Sequence, residues 1–242
     1  VPGTHRQLAV GMLGIGNLRN GPFDESYFRR ALSIGREVGD KWIVVNALRL
    51  LGVNTAILGM GNFDIQLLEE SLGLCRQVGD KVNLNWLLHD LGIAAVDRGD
   101  YPRATELLEE ALEVSRQLGH RWGEVQALKR LGDIALREAD YGKARKRLTS
   151  ALALPNDIGS IQLHGCLVAL AELEVAVKRY ERAVKLYGYA SVHLSANQYE
   201  SEKQLTAVKK RMQEPEFSAL WDRGRSMALE EAIQYALTDT VV

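Results

Sequence analysis

An all-α solenoid of paired helices, closed by a C-terminal helical segment, is the fold class this sequence predicts, and three observations predict it. The segment "LLEESLGLCRQVGDK" at residues 67–81 returns as "LLEEALEVSRQLGHR" at residues 107–121, a shift of 40 residues. The same shift aligns Gly39, Gly79, Gly119 and Gly159, and separately Gly52, Gly92 and Gly132. Apolar residues recur between the glycines at helical spacing, as Leu128, Leu131 and Ala135 on one segment and Ala144, Leu148, Ala151 and Leu152 on the next. Self-similarity at such a period marks an array of supersecondary units. One hairpin cannot bury both of its faces, so the units must stack.

The elements follow in order. Residues 11–21, "GMLGIGNLRNG", read as the first inner helix running into a Gly21-Pro22 turn, with Leu13-Gly14 expected to repeat the Leu-Gly contact seen downstream. Gly14-x-Gly16 lacks the third glycine of a dinucleotide loop and a strand before it, so a phosphate site is not expected there. The first glycine series is followed by Asp40, Asp80, His120 and Ser160. Glycine closes a helix in the left-handed conformation and a following Asp or Ser accepts the unpaired N–H groups of the next helix, so each pair is a stop and a start. The second series lies within helices, always after leucine (Leu51, Leu91, Leu131). An internal glycine costs about 1 kcal/mol relative to alanine, and its recurrence implies close approach of a neighbouring backbone.

Asp100-Tyr101-Pro102 and Asp140-Tyr141 mark the turns inside a repeat, with Pro102 in the first helical turn where no N–H partner is lost. In the first two repeats, Asp24 and Asp64 replace the residues aligned with Ala104 and Ala144, and "GPFD" and "GNFD" predict later helix starts. Pro155 is expected to end the fourth outer helix, and residues 166–190 read as a weaker pair with Tyr180 and Ala183 in the roles of Tyr141 and Ala144. From about Tyr199 the register is lost. A charged helix "ESEKQLTAVKKRM", a break at Pro215 and shorter helices predict a cap over the last apolar face, one of them opened by a capping signal at Ser226. The expected division is a repeat array over residues 1–198 and capping helices over residues 199–242.

Leu88-x2-Leu91-Gly92-x2-Ala95 with Ala104-x3-Leu108-x2-Ala111, repeated as Leu128-x2-Leu131-Gly132-x2-Ala135 with Ala144-x3-Leu148-x2-Ala151, resembles the tetratricopeptide pattern. The tail residues Phe217, Trp221, Gly224-Arg225 and Leu229-Glu230-Glu231-Ala232 with Ala236-Leu237 look like the terminal segment of large bacterial signalling ATPases, the maltose-regulon activator among them. Those proteins join a nucleotide-binding module, a tetratricopeptide-like superhelix and a LuxR-type or related DNA-binding domain. The resemblance implies a right-handed superhelix with a C-terminal cap, serving as a sensing or docking module of a bacterial transcriptional regulator. It implies other domains of a longer parent chain as partners. A self-association scaffold and a freestanding adaptor are the alternatives.

Composition narrows the chemistry. Basic and acidic residues number 30 and 31, for a net charge of −1, so no whole-chain field draws the protein to nucleic acid or an anionic membrane. Cys75 and Cys166 make neither a disulfide framework nor a CxxC pair, and no stretch reads as a membrane span or signal peptide; a cytoplasmic location is expected. Five scattered histidines lack metal-ligand spacing, and there is no P-loop and no G-x-S-x-G elbow, so no catalytic residue, metal or cofactor is assigned.

What remains is a surface. On each inner helix, positions i, i+4, i+7 and i+11 opposite the packing face read Trp42, Asn46, Arg49, Val53, then Val82, Trp86, His89, Ile93, then Trp122, Gln126, Lys129, Asp133. The resemblance would place these stripes in a concave groove for a peptide, protein or small-molecule effector. The candidate binding residues are Asn46, Arg49, Trp86, His89, Gln126, Lys129 and Asp133. Arg49 and Lys129 could hold a carboxylate or phosphate, Asn46 and Gln126 a peptide backbone, and Trp86 an apolar group. Alternatively the tryptophans and Val82 fill contacts between neighbouring inner helices and the charged residues are solvated surface.

Overall fold

Thirteen helices, and no strand, make up the secondary structure of the described residues, which are 2–16, 25–57, 63–154, 160–193 and 202–238 of a computed structural model. They fall into two compact units, Val1–Gly119 and His120–Val242. The first holds α1 (Pro2–Gly16), α2 (Glu25–Val38), α3 (Lys41–Ile57), α4 (Ile65–Val78), α5 (Lys81–Asp97) and α6 (Tyr101–Leu118). The second holds α7 (Arg121–Arg137), α8 (Tyr141–Leu152), α9 (Ser160–Ala176), α10 (Tyr180–His193), α11 (Glu202–Lys209), α12 (Glu214–Arg225) and α13 (Leu229–Leu237). Within each unit consecutive helices pack as pairs, α5 on α6 and α7 on α8 most extensively, so the fold is an all-α solenoid of helix pairs with a C-terminal helical segment. The expected boundary between residues 198 and 199 lies outside the described residues, as do Gly21-Pro22, Pro155 and Gly159.

The stops and starts are where the spacing puts them. Gly39, Gly79 and Gly119 take positive φ values of 71°, 74° and 64°. Asp80 accepts the backbone N–H groups of Val82 and Asn83, Asp40 that of Ile43, Asp100 that of Arg103 and Asp140 that of Lys143. Each such cap stabilises its helix by about 1 kcal/mol. His120 precedes α7 without a side-chain cap bond. The later start of the second outer helix is seen at Ile65, behind Asp64, which accepts from the Leu67 N–H, whereas residues 21–24 before α2 lie outside the described residues.

The internal glycines are sockets for leucine side chains, and the expected backbone approach is met only at Gly52, where the Asp64 carbonyl would also lie 3.2 Å from an added methyl. A methyl group on Gly52 would lie 2.7 Å from Leu68 Cγ, one on Gly92 2.8 Å from Leu108 Cδ2, and one on Gly132 2.8 Å from Leu148 Cδ2. Each inner helix thus seats a leucine of the outer helix 16 residues later. Leu68, Leu108 and Leu148 are fully buried, contributing roughly 1.5–3 kcal/mol apiece. Leu13-Gly14 does not repeat this contact, because Gly14 has nothing within 4 Å. The socket register falls instead on Met12, with Phe28 in the leucine position, and both lie in one buried cluster.

In the second unit the register runs out inside α9 and α10. The glycine and leucine positions there read Glu172 and Gly188. Gly188 meets the backbone of Trp221 and Gly224 on α12, so here two helix backbones touch. Phe217 of α12 joins Val184 and Val208 in a small core, and α13 buries Ala232, Ile233 and Ala236. Pro215 stands in the first turn of α12 rather than separating helices, and Ser226 ends α12 instead of capping α13, whose N-cap is Ala228.

Candidate functional site

The stripe on α3 grades from open to buried, that on α5 opens at Val82 and is buried at His89, and that on α7 is half-buried throughout. The first positions on α3 and α5 are exposed, Trp42 by 38% and Val82 by 57%, while Asn46, Trp86, Trp122 and Gln126 are half-buried. Deeper along, Val53 and His89 are buried. Of the three tryptophans, Trp42 is exposed and Trp86 and Trp122 are half-buried.

In the first unit the structure joins Arg49 of α3 to Trp86 of α5. The Arg49 Nε donates to Asp90 Oδ2 at 2.7 Å, and its guanidinium carbon lies 5.3 Å from the centre of the Trp86 ring. Asp90 was not among the expected residues. Burial pushes its carboxyl above the ordinary range, against the opposing pull of the Arg49 charge. Arg49 is thus a cation paired with a carboxylate and lying over an aromatic face. Asn46 Nδ2 donates to the Trp42 carbonyl, holding the open end of the stripe to its own helix.

In the second unit Gln126, Lys129 and Asp133 share α7. Lys129 Nζ pairs with Asp133 Oδ2 at 2.6 Å, and its stem lies against Gly165 of α9, where an added methyl would come 3.1 Å from Lys129 Cε. Glycine at 165 thus makes room for the lysine between two inner helices.

Sequence reasoning passed over the most buried charge of the second unit. Glu174 of α9, 1% exposed, accepts from Arg145 of α8 at 2.8 Å and from Arg182 of α10 at 3.2 Å. Arg182 also donates to the carbonyls of Tyr235 and Ala236 in α13 and lies over the Tyr235 ring. This network fastens four helices and offers no reacting atom to solvent. The thiols are likewise unsuited to nucleophilic work, as burial pushes Cys75 up to about 11 and Cys166 up to about 12. Among the described residues no group of three or more His, Cys, Asp or Glu could hold a metal ion, and no helix is long and apolar enough to cross a membrane.

Residues 84–157 match the tetratricopeptide repeat family. This region is a tetratricopeptide-like helical repeat of the protein-interaction type. It contains Trp86, His89, Gln126, Lys129 and Asp133 together with the Gly92–Leu108 and Gly132–Leu148 sockets. No curated protein matches the chain.

Proposed function

We propose that this chain is the non-enzymatic docking and sensing module of a larger bacterial regulator, and that its guest, a peptide, protein or small effector, is received by an inner-helix stripe, that of α3 and α5 in the first unit or that of α7 in the second. The supporting observation is that the tetratricopeptide repeat match covers α7 and most of α5, where the aromatic and amide-bearing stripe residues Trp86, Trp122 and Gln126 are half-buried. The regulator reading rests on the tail, where Phe217, Trp221 and Gly224 are the residues that fasten α12 to α10. Arg49 and Lys129 act in this reading as positioned, neutralised groups, Arg49 backing Trp86 and Lys129 filling the space over Gly165.

Selection of a displayed random-peptide library on the purified chain tests the stripes directly. Enriched peptides are expected to lose at least about tenfold in affinity on Trp42→Ser with Val82→Ser, or on Gln126→Ala, at exposed or half-buried positions whose change leaves the thermal midpoint nearly unaltered. Peptides indifferent to these changes but sensitive to Arg103→Ala on the outer helix α6 would remove the assignment.

A further inference from the structure

A cleft lies between α11, α12 and the end of α10. It encloses about 500 Å³, within the range of small-molecule pockets. Its wall is aromatic: Phe217 and Trp221, one helical turn apart on α12, stack with ring centres 5.8 Å apart. Phe217 is buried beneath the Lys209 ammonium, which lies 4.9 Å from its ring centre, whereas Trp221 is half-buried and lines the cleft. Two carboxylates, Glu214 and Asp222, line it together with Ser191, Thr206 and Ser218. Among the described lining residues Lys209 is the cation set against these two carboxylates, and Asp222 Oδ1 also lies 3.9 Å from Arg225 in an exposed pair, leaving Glu214 and Asp222 beside a π-face.

We propose that this cleft binds a small organic cation, an ammonium carried on an apolar body. The Lys209 ammonium on Phe217 displays the chemistry that the wall favours, since the negative face of an aromatic ring attracts cations, most strongly on tryptophan. A guest places its charge against Trp221 between Glu214 and Asp222 and its apolar body toward Leu205, which is packed against the same small core. An anion meets two carboxylates there, and a neutral ring forgoes the charge term.

The test uses phenethylammonium, with phenethyl alcohol and phenylpropionate as its neutral and anionic counterparts, titrated against the whole chain. The Trp221 indole N–H resonance, identified by its loss in Trp221→Phe, reports occupancy. Phenethylammonium is expected to shift it and to bind at least about fivefold more tightly than the alcohol, with the carboxylate weakest. Glu214→Gln with Asp222→Asn, both on exposed side chains, should abolish that preference, and Lys209→Gln should tighten binding by removing the internal competitor. No shift with phenethylammonium, equal affinity for the three probes, or weaker cation binding in Lys209→Gln would each overturn the proposal.

Discussion

The two units are built from one repeat, yet they hold their last helices by opposite means. In Val1–Gly119 a flexible leucine sits in a glycine socket, as Leu68 on Gly52 and Leu108 on Gly92, and the cations at the outer surface, Arg36 with Glu70 and Arg76 with Glu110, are exposed pairs repeated from one repeat to the next. Such surface pairs contribute about 0–1 kcal/mol each. In His120–Val242 the socket appears once, Leu148 on Gly132, and then gives way to a glycine–glycine crossing and a buried carboxylate between two arginines. A helix that follows the register can be held by side chains that interdigitate. Helices outside it, α11 to α13, are instead held by backbone proximity and charge, which are less forgiving of change.

That contrast can be broken in graded steps. The largest effect is expected at Glu174, where Glu174→Gln leaves two guanidinium groups facing an uncharged buried partner and should cost about 3 kcal/mol or more in chemical denaturation. Arg36→Gln, the matching loss of a pair in the first unit, should cost less than about 1 kcal/mol. Gly224→Ala comes next, at about 3 kcal/mol, because the new methyl meets the Lys185 carbonyl, a backbone atom that cannot rotate away.

A pH titration sharpens the second unit further. His164 on α9 is buried against Tyr189, stacks on the exposed His193 of α10 at 5.3 Å, and is held below its ordinary pKa of 6.5 first by burial and then by the His193 charge. Tyr189 is pushed up to about 12 by burial and by Glu230 of α13, so it remains a neutral phenol beside the imidazole at any pH of interest. A depressed folded-state pKa means that the neutral imidazole's contribution is complete above pH 6.5 and is lost as the pH falls through that value toward the folded pKa. Stability measured between about pH 7 and 5 should therefore decline, and His164→Phe should flatten the decline. An unchanged slope in that variant would mean that other groups carry the acid sensitivity.

The smallest expected effect compares one turn in the two units. Gly99 adopts φ 77°, while its counterpart 40 residues later, Ala139, adopts φ 58° with a side chain. Ala139→Gly should be neutral to stabilising by up to about 1 kcal/mol and Gly99→Ala destabilising by about 1 kcal/mol, both read as shifts in the denaturation midpoint.

The helix order, the caps and the sockets were legible in the sequence because each depends on local chemistry repeated at a fixed interval: Asp80 before α5, Gly79 after α4, Gly92 inside α5. The occupant of the sockets was not, since spacing reveals that something comes close but not whether it is a backbone or a leucine. Asp90 was missed because its pairing with Arg49 depends on how α3 and α5 are rotated against each other. Glu174 left a clue: it occupies the register position of Ala94 and Ile134, both buried, so a carboxylate there had to find cations. The cleft at Trp221 left none, because α11 and α12 stand outside the repeat and their approach to α10 is set by the Gly188–Gly224 crossing.

The socket is the contact on which the inner-helix surface depends, and a double-mutant cycle between Gly92 and Leu108 in urea tests it most directly. Gly92→Ala is expected to destabilise the wild-type chain by about 1–3 kcal/mol, and to become neutral or stabilising by up to about 1 kcal/mol once Leu108→Ala has emptied the socket, where the helix preference of alanine is no longer opposed. Additive costs, with Gly92→Ala equally harmful in both backgrounds, would contradict the leucine-in-glycine packing.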